Sequence, residues 1–296
     1  MSRLFWLAML FAAGVQTGWS APPAKALLKL HTAEAAAYEI YEDEARTQRL
    51  ELQTTPVFSW TNVLRVQGQT GQLFVWMRAG RPEVLGTIFS TLTDVPNSRT
   101  RMVVHEFHTL SEKKLWPITP KSSRYQWRPQ AGIALAPITE APAVAESAAG
   151  RLIQMRNIAR TFTGETRNAH DTSSERWELR LLPQPALRYE PQRQDILDGA
   201  LFLYVTSAGT DPEAVLLVEA RGAPNAWKWH YAIARFTDRD LVVRDPQQVV
   251  WSSLDDPRKR LLIENDYTYL HSADNTYCCY RSKEIPELPD EVDAAE

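Results

Sequence analysis

The chain has 296 residues, of which 44% are hydrophobic and 23% are charged, which is an ordinary composition for a globular protein. The formal net charge at pH 7 is −3, and residues 284–296 alone hold six acidic residues and no basic residue. The remainder of the chain is close to neutral, which argues against binding to nucleic acid or to an anionic membrane surface.

The first 20 residues have the layout of a cleavable secretory signal peptide. Arg3 supplies a basic start, residues 4–15 are continuously apolar, and the small residues Gly18 and Ser20 precede Ala21. The apolar stretch is shorter than the roughly 20 residues that a membrane-spanning helix needs. We therefore expect an exported protein, periplasmic or extracellular after cleavage, with no stable membrane insertion.

An internal repeat is the most informative pattern in the mature chain. Positions in one segment recur 128 to 131 residues later with the same or a similar residue type. The pairs are Leu52 and Leu181, Pro56 and Pro185, Trp60 and Tyr189, Gly71 and Gly199, Leu73 and Leu201, Phe74 and Phe202, Trp76 and Tyr204, Gly80 and Gly209, Pro82 and Pro212, Glu83 and Glu213, and Leu85 and Leu216. One-residue drifts between pairs are what strands joined by variable loops would show.

Each copy is predicted to begin with a helix and to continue as about four antiparallel strands. Helical spacing of apolar residues indicates helices at residues 33–46 and 148–162. Residues rich in aromatic and β-branched types predict two hairpins and a further strand after each. The hairpins pair residues 72–77 with 84–89 and 200–205 with 214–219, and the further strands are 101–110 and 226–236.

The predicted fold class is therefore α+β, with two pseudo-symmetric repeats that each pack a helix on an antiparallel sheet. The repeats span residues 21–110 and 144–283. Residues 111–143 are rich in proline and predict a linker, and the acidic residues 284–296 predict a disordered tail. A cleft between the two repeats is the expected place for a ligand.

The strongest candidate for chemistry is the sequence around Glu106 on the last strand of the first repeat. Alternation places His105 and Phe107 on one face of this strand and Glu106 and His108 on the other. Glu106 and His108 together could hold a divalent metal or transfer protons. A sheet face with one hydrogen-bonded histidine and one solvated pair is the simpler interpretation.

Other polar and aromatic residues are weaker candidates for a catalytic or ligand-binding site. His170 and Asp171 lie in a polar loop, and His230 lies within a strand. Trp76 and Tyr204 are candidates for stacking on a ligand, although aromatic residues in strands usually form core pairs.

The repeated carboxylates Glu83 and Glu213 could face each other across the cleft, or could simply lie at turn exits. The neighbouring cysteines Cys278 and Cys279 are the only cysteines in the chain. They could be small packed residues, a vicinal disulfide, or the site of an intermolecular link.

Recognisable cofactor and catalytic motifs are missing from the sequence. There is no glycine-rich phosphate loop, Gly-x-Ser-x-Gly elbow, His-Glu-x-x-His, calcium loop or paired Cys-x-x-Cys. No cofactor is therefore predicted.

Residues 178–185 and 104–110, with Gly71 and Trp76 upstream, resemble a set of exported proteins of unknown function from planctomycete-type bacteria. The resemblance covers most of the mature chain and implies an extracytoplasmic location, but it implies no activity.

The sequence favours a non-catalytic extracytoplasmic binding or envelope-associated protein, whose partner would be a small ligand or an envelope protein. One alternative is a hydrolase, with or without a metal, centred on Glu106 and His108. Another is a protein-interaction module.

Export of the full-length chain in a bacterial host is expected to yield a mature protein that begins at Ala21, because the small residues before it form a cleavage site. Amino-terminal sequencing of the secreted material checks the position. Leu10→Arg interrupts the apolar stretch and should leave the precursor uncut. A secreted wild-type protein that keeps Met1 would contradict the prediction.

Overall fold

The structure of the chain is a computed structural model, and it describes residues 24–62, 68–93, 100–120, 125–130, 132–167, 176–207, 209–254 and 269–288. The predicted signal peptide at residues 1–20, the loop residues His170 and Asp171, and residues 289–296 of the predicted tail lie outside the described residues. Within the described ranges, no helix is long and apolar enough to cross a membrane.

Strands dominate both halves of the chain. Up to residue 143, the elements are α1 (Ala24–Ala36), β1 (Glu39–Tyr41), β2 (Glu51–Asn62), β3 (Gln69–Arg78), β4 (Arg81–Leu92), β5 (Thr100–Thr109), β6 (Trp116–Ile118) and β7 (Ala136–Pro137). After residue 143, they are α2 (Ala148–Thr161), β8 (Thr163–Arg167), β9 (Arg176–Leu181), β10 (Leu187–Tyr189), β11 (Ile196–Thr206), β12 (Pro212–Arg221), β13 (Lys228–Arg235), β14 (Asp240–Arg244), β15 (Val249–Ser252), β16 (Tyr269–His271) and β17 (Tyr277–Pro286).

The prediction of an α+β fold with two helix-on-sheet repeats is wrong. Strands account for 52% of the described residues and two helices for 12%, so the chain is mostly β, with a sheet curled into a half-barrel. The predicted helix at residues 33–46 gives way after Ala36 to a turn and β1, and the helix itself begins at Ala24. Apolar spacing located individual elements, but it did not reveal how many other strands join each sheet.

Two large antiparallel sheets make up the fold. The first sheet has the strand order β16-β17-β5-β4-β3-β2. The second has the order β15-β14-β8-β9-β11-β12-β13-β7, and β10 also pairs with β11. A small two-stranded sheet joins β1 to β6. Each large sheet therefore has more strands than the predicted four.

Segments that were predicted to lie outside the sheets add strands to them. In the proline-rich segment 111–143, β6 pairs with β1, and β7 pairs with β13 of the second sheet. Residues 284–286, the start of the predicted tail, end β17, which pairs with β5. The C-terminal part of the chain thus returns to the first sheet.

The faces of the two sheets divide the core into three layers. In β3, Leu73 and Val75 belong to an apolar cluster that also includes Leu203 and Leu217 of the second sheet. The two sheets therefore pack face to face. The alternate residue Phe74 faces the other way, into a cluster beneath α1, and a third cluster lies beneath α2. Burying each large apolar side chain contributes about 1.5–3 kcal/mol.

The β3–β4 hairpin has the geometry of a two-residue type I′ turn. Ala79 and Gly80 both have positive φ, 46° and 77°, as this turn requires. The turn sets Arg78 opposite Arg81 and starts β4 at Arg81.

A buried ion cluster joins the two sheets beside this turn. Arg81 is fully buried, and its Nε lies 2.8 Å from Oε1 of Glu219 in β12. Its Nη1 lies 3.0 Å from Oε2 of Glu83. The hydroxyl of Tyr189 donates a hydrogen bond of 2.7 Å to Glu219. The cluster therefore fixes β4 of one sheet against β10 and β12 of the other.

Arg81→Met is expected to lower the free energy of unfolding by about 3–5 kcal/mol, because the buried carboxylates of Glu83 and Glu219 both lose the guanidinium that pairs with them. Glu219 keeps a second close cation, Arg221 at 3.1 Å. Urea denaturation measures the change. The control is Arg176→Gln, whose exposed side chain lies 3.5 Å from Glu165. Arg176→Gln should lower the free energy of unfolding by less than about 1 kcal/mol. Equally small losses in both variants would contradict a joining role for Arg81.

Candidate functional site

The histidine that faces α1 is part of the core. His105 is fully buried; its Nδ1 forms a hydrogen bond with the hydroxyl of Tyr38, and its Nε2 lies 3.3 Å from Oε2 of Glu34. Burial lowers the pKa of His105. Glu34 also accepts a 2.6 Å hydrogen bond from Lys283. These contacts attach α1 to the first sheet, so His105 has a structural role.

His108 lies on the opposite face but is also enclosed. Its Nδ1 donates a 2.8 Å hydrogen bond to the carbonyl of Thr109, and its ring lies 6.4 Å from those of Phe236 and Tyr277. Burial lowers the pKa of His108 to about 4, so its ring is neutral at pH 7. Across the described ranges, no group of three or more His, Cys, Asp or Glu residues is arranged to hold a metal.

The predicted stacking residues are core residues. Trp76 is 1% exposed and packs against Tyr38 and Phe107 beneath α1. Tyr204 is buried beneath α2, where its hydroxyl donates a hydrogen bond to the carbonyl of Ala159. Both rings are almost completely buried, and Trp76 also borders a separate cavity beside α1.

The repeated carboxylates lie in different surroundings. Glu83 belongs to the ion cluster with Arg81, whereas Glu213 lines a cavity. The two cysteines are free thiols that point to opposite faces of β17. Cys278 packs beneath α1, and Cys279 lines the same cavity as Glu213.

This cavity, of about 120 Å³, is lined by residues from both sheets and is the candidate functional site. The first sheet contributes Trp60, Gln69, Thr87, Phe89, Glu106 and Cys279. The second sheet and its adjoining turns contribute Asp211, Pro212, Glu213, Phe236, Thr237 and Asp238. Glu106 is thus the one residue of the predicted Glu106 and His108 pair that reaches the cavity.

Strand register places three polar residues side by side. Thr87 of β4 is the cross-strand partner of Glu106 in β5, and Glu106 is the partner of Cys279 in β17. Because cross-strand partners share a face, all three side chains project toward the cavity.

Gly71 lets the indole ring of Trp60 lie flat against β3. A Cβ atom at Gly71 would come within 2.5 Å of Cζ2 of Trp60 and 2.6 Å of Cβ of Phe89. Only glycine leaves room for the ring at this close approach. The repeated glycine therefore shapes the cavity wall.

Three buried polar atoms in the cavity wall have no hydrogen-bond partner among the described residues. They are Nε1 of Trp60, Oε1 of Gln69 and Oγ1 of Thr87. Trp60 is 5% exposed and Thr87 is 1% exposed. An unsatisfied buried polar atom costs about 1–3 kcal/mol. Single atoms in this state also lie away from this cavity, such as Nε1 of Trp76 and Nε1 of Trp229, so the feature of this site is that three of them line one cavity.

The surroundings of Glu106 raise the pKa of its carboxyl group. The hydroxyl of Tyr277 donates a 2.6 Å hydrogen bond to its Oε1. Burial raises the pKa of Glu106 to about 8, with smaller contributions from the negative charges of Asp238 and Glu213. The nearby Arg235 and the Tyr277 hydrogen bond oppose this increase in pKa. Glu106 is therefore mostly protonated at pH 7.

No family model, curated protein or solved structure matches this chain. The resemblance to exported planctomycete-type proteins stays a prediction. The geometry of the cavity is what supports a function.

Most of the cavity wall was not predicted as a site. Thr87, Asp211 and Asp238 have no motif around them. The available signal for Thr87 was alternation, since it follows the inward-facing Leu85 by two residues.

Wild-type protein is expected to lose more stability than Glu106→Gln between pH 5 and pH 9. A carboxyl whose pKa is raised on folding contributes stability that is complete below the unfolded pKa and is lost as the pH rises through the folded pKa, here about 8. Urea unfolding measures the free energy of unfolding of both proteins at each pH. Between pH 5 and pH 9, the value for wild type minus the value for Glu106→Gln should fall by at least about 1.4 kcal/mol, which is equivalent to one pKa unit.

The matched control is Glu178→Gln on the exposed face of β9, which should follow the wild-type pH profile. Parallel profiles for wild type and Glu106→Gln would show that the Glu106 carboxyl is not protonated at neutral pH.

Proposed function

We propose that the chain is an exported, non-catalytic binding protein that takes a small polar ligand in the cavity between its sheets. The observation that carries the proposal is the group of three unsatisfied buried polar atoms, from Trp60, Gln69 and Thr87, in one cavity wall. A ligand that pairs with these atoms would remove their desolvation penalty. Export is supported by the signal-peptide pattern of residues 1–20.

The size of the cavity also supports a small ligand. At about 120 Å³ it is somewhat smaller than an engineered cavity of about 150 Å³ that holds benzene. The ligand, or the part of it that enters, therefore has only a few non-hydrogen atoms.

The hydrolase alternative has one supporting observation, the raised pKa of Glu106, which is a property of general acids. The partner that this alternative assigned to Glu106 does not reach the cavity, because Nδ1 of His108 donates its hydrogen bond to the backbone of Thr109. A hydrolase would need its base or nucleophile from the other lining residues, such as Glu213, Asp238 or Cys279. The protein-interaction alternative has less support, because the large hydrophobic residues exposed in the described part, Leu28, Ile153 and Val249, lie on three different elements.

Thr87→Val is expected to leave the free energy of unfolding unchanged or to raise it by up to about 1 kcal/mol, because it removes an unsatisfied hydroxyl. The same change should weaken ligand binding. The control is Thr109→Val, since Oγ1 of Thr109 donates to the carbonyl of Glu83 at 3.3 Å and accepts from the amide of Ser111 at 3.2 Å. This control should lower stability by about 1–2 kcal/mol.

Binding is measured by saturation-transfer NMR with a library of small polar fragments, charged and uncharged. Fragments that occupy the cavity should bind about fivefold more weakly to Thr87→Val and Trp60→Phe, the loss of one hydrogen bond each. Trp177→Phe in β9, outside the cavity lining, should bind as wild type does. The proposal would be overturned if no fragment binds. It would also be overturned if the bound fragments have the same affinity for wild type and for both cavity variants.

A further inference from the structure

The three unsatisfied atoms in the cavity wall differ in what they require from a ligand. The indole N–H of Trp60 can only donate a hydrogen bond, and the amide oxygen Oε1 of Gln69 can only accept one. The hydroxyl of Thr87 can do both. A ligand that satisfies all three must therefore present acceptors and donors together.

Simple ions fail this requirement. An ammonium group has donors only and would leave the N–H of Trp60 unpaired. A carboxylate has acceptors only and would leave the amide oxygen of Gln69 unpaired. A hydroxyl group supplies both functions on one atom, so a ligand with adjacent hydroxyls satisfies donor-only and acceptor-only partners at once.

The charges around the cavity also disfavour an anion. Four carboxyl-bearing residues, Glu106, Asp211, Glu213 and Asp238, line it, and its described lining includes no lysine, arginine or histidine. The guanidinium group of Arg235 opposes the rise in the pKa of Glu106. That group points elsewhere: Nε donates to the carbonyl of Thr237, Nη2 donates to that of Arg239 at 3.0 Å, and the guanidinium carbon lies 4.8 Å from the centre of the Tyr277 ring.

The remaining wall suits a compact polyol. Tyr277 donates to Oε1 of Glu106. When protonated, the Glu106 carboxyl can donate a hydrogen bond as well as accept one, as a hydroxyl does. The rings of Trp60, Phe89 and Phe236 provide apolar surface for the carbon skeleton. The polar groups of the wall would then contact the hydroxyls of the ligand, and the rings would contact its carbon atoms.

We propose that the cavity binds the vicinal hydroxyls of a small neutral polyol, either a free polyol of three or four carbons or a hydroxylated end of a larger molecule. This inference rests on the proposed binding function and narrows the class of its ligand.

A series with one three-carbon skeleton and three charges tests the ligand class: glycerol, glycerate and 3-amino-1,2-propanediol. 1,2-Dimethoxyethane, which is neutral and has acceptors but no donors, tests the need for donors. Dissociation constants are measured by NMR titration of the purified wild-type protein at pH 6.5 and constant ionic strength. We expect glycerol to bind at least about tenfold more tightly than glycerate and than 1,2-dimethoxyethane, the equivalent of one to two hydrogen bonds.

Variants show whether the binding occurs in the cavity. Gln69→Leu, Thr87→Val and Trp60→Phe should each weaken glycerol binding by about fivefold, whereas Trp177→Phe should not weaken it. Tighter binding of 3-amino-1,2-propanediol or glycerate than of glycerol would overturn the polyol assignment and leave a charged-ligand binding protein. Glycerol binding that is unaffected by all three cavity variants would place it elsewhere and would also overturn the assignment.

The two proposals fail in distinguishable ways. If other fragments occupy the cavity and glycerol does not, the ligand class is wrong and the binding function stands. If neither the fragment library nor the polyol series binds at the cavity, the binding function is wrong as well.

Discussion

The packing of the two sheets depends on the buried ion pair between Arg81 and Glu219. Arg81 lies on β4 and Glu219 on β12, 138 residues apart, and both side chains are fully buried. Two charges removed from water are tolerated only when each has close, hydrogen-bonded partners, so the pair restricts the sheets to the alignment that brings them together. Tyr189 and Arg221 also contact Glu219, and Arg81 also contacts Glu83 and the carbonyl of Leu110. A shift of either strand by one residue would turn these side chains to the opposite face.

The same two strands connect the ion cluster to the cavity. Along the inner face of β12, alternate residues run from Glu213 at the cavity, through Val215 and Leu217 in the apolar layer, to Glu219 at the ion cluster. Along β4 the order is the reverse, from Arg81 through Leu85 to Thr87 at the cavity. Glu83 and Glu213 therefore lie at opposite ends of the interface, which is why the repeated carboxylates do not form one site. The ion cluster fixes the separation of the sheets at one end, and the cavity occupies the other end.

The cavity wall brings together polar groups from both sheets. Unsatisfied atoms and a buried carboxyl each cost folding free energy, and in this wall three such atoms lie beside the carboxyl of Glu106. The surrounding wall is held by strand pairing and close packing: Trp60 lies against Gly71, and Glu106 lies in the middle of a regular strand between two paired neighbours. A preformed wall loses little conformational entropy when a ligand binds, which lowers the free-energy cost of the proposed binding.

The sequence by itself determined the local features of the chain. Period-two alternation assigned Glu106 and His108 to one face of β5, and glycine and proline marked the turns of hairpins that the structure forms as β3–β4 and β11–β12. It did not determine the fold class or the site, because both depend on contacts between distant residues. Cys279 pairs with Glu106 from the far end of the chain, and the extra strands of each sheet come from segments that looked like linker or tail. Local periodicity records which side of a strand is apolar, and only the tertiary structure decided which strands meet and which polar atoms remain without a partner between them.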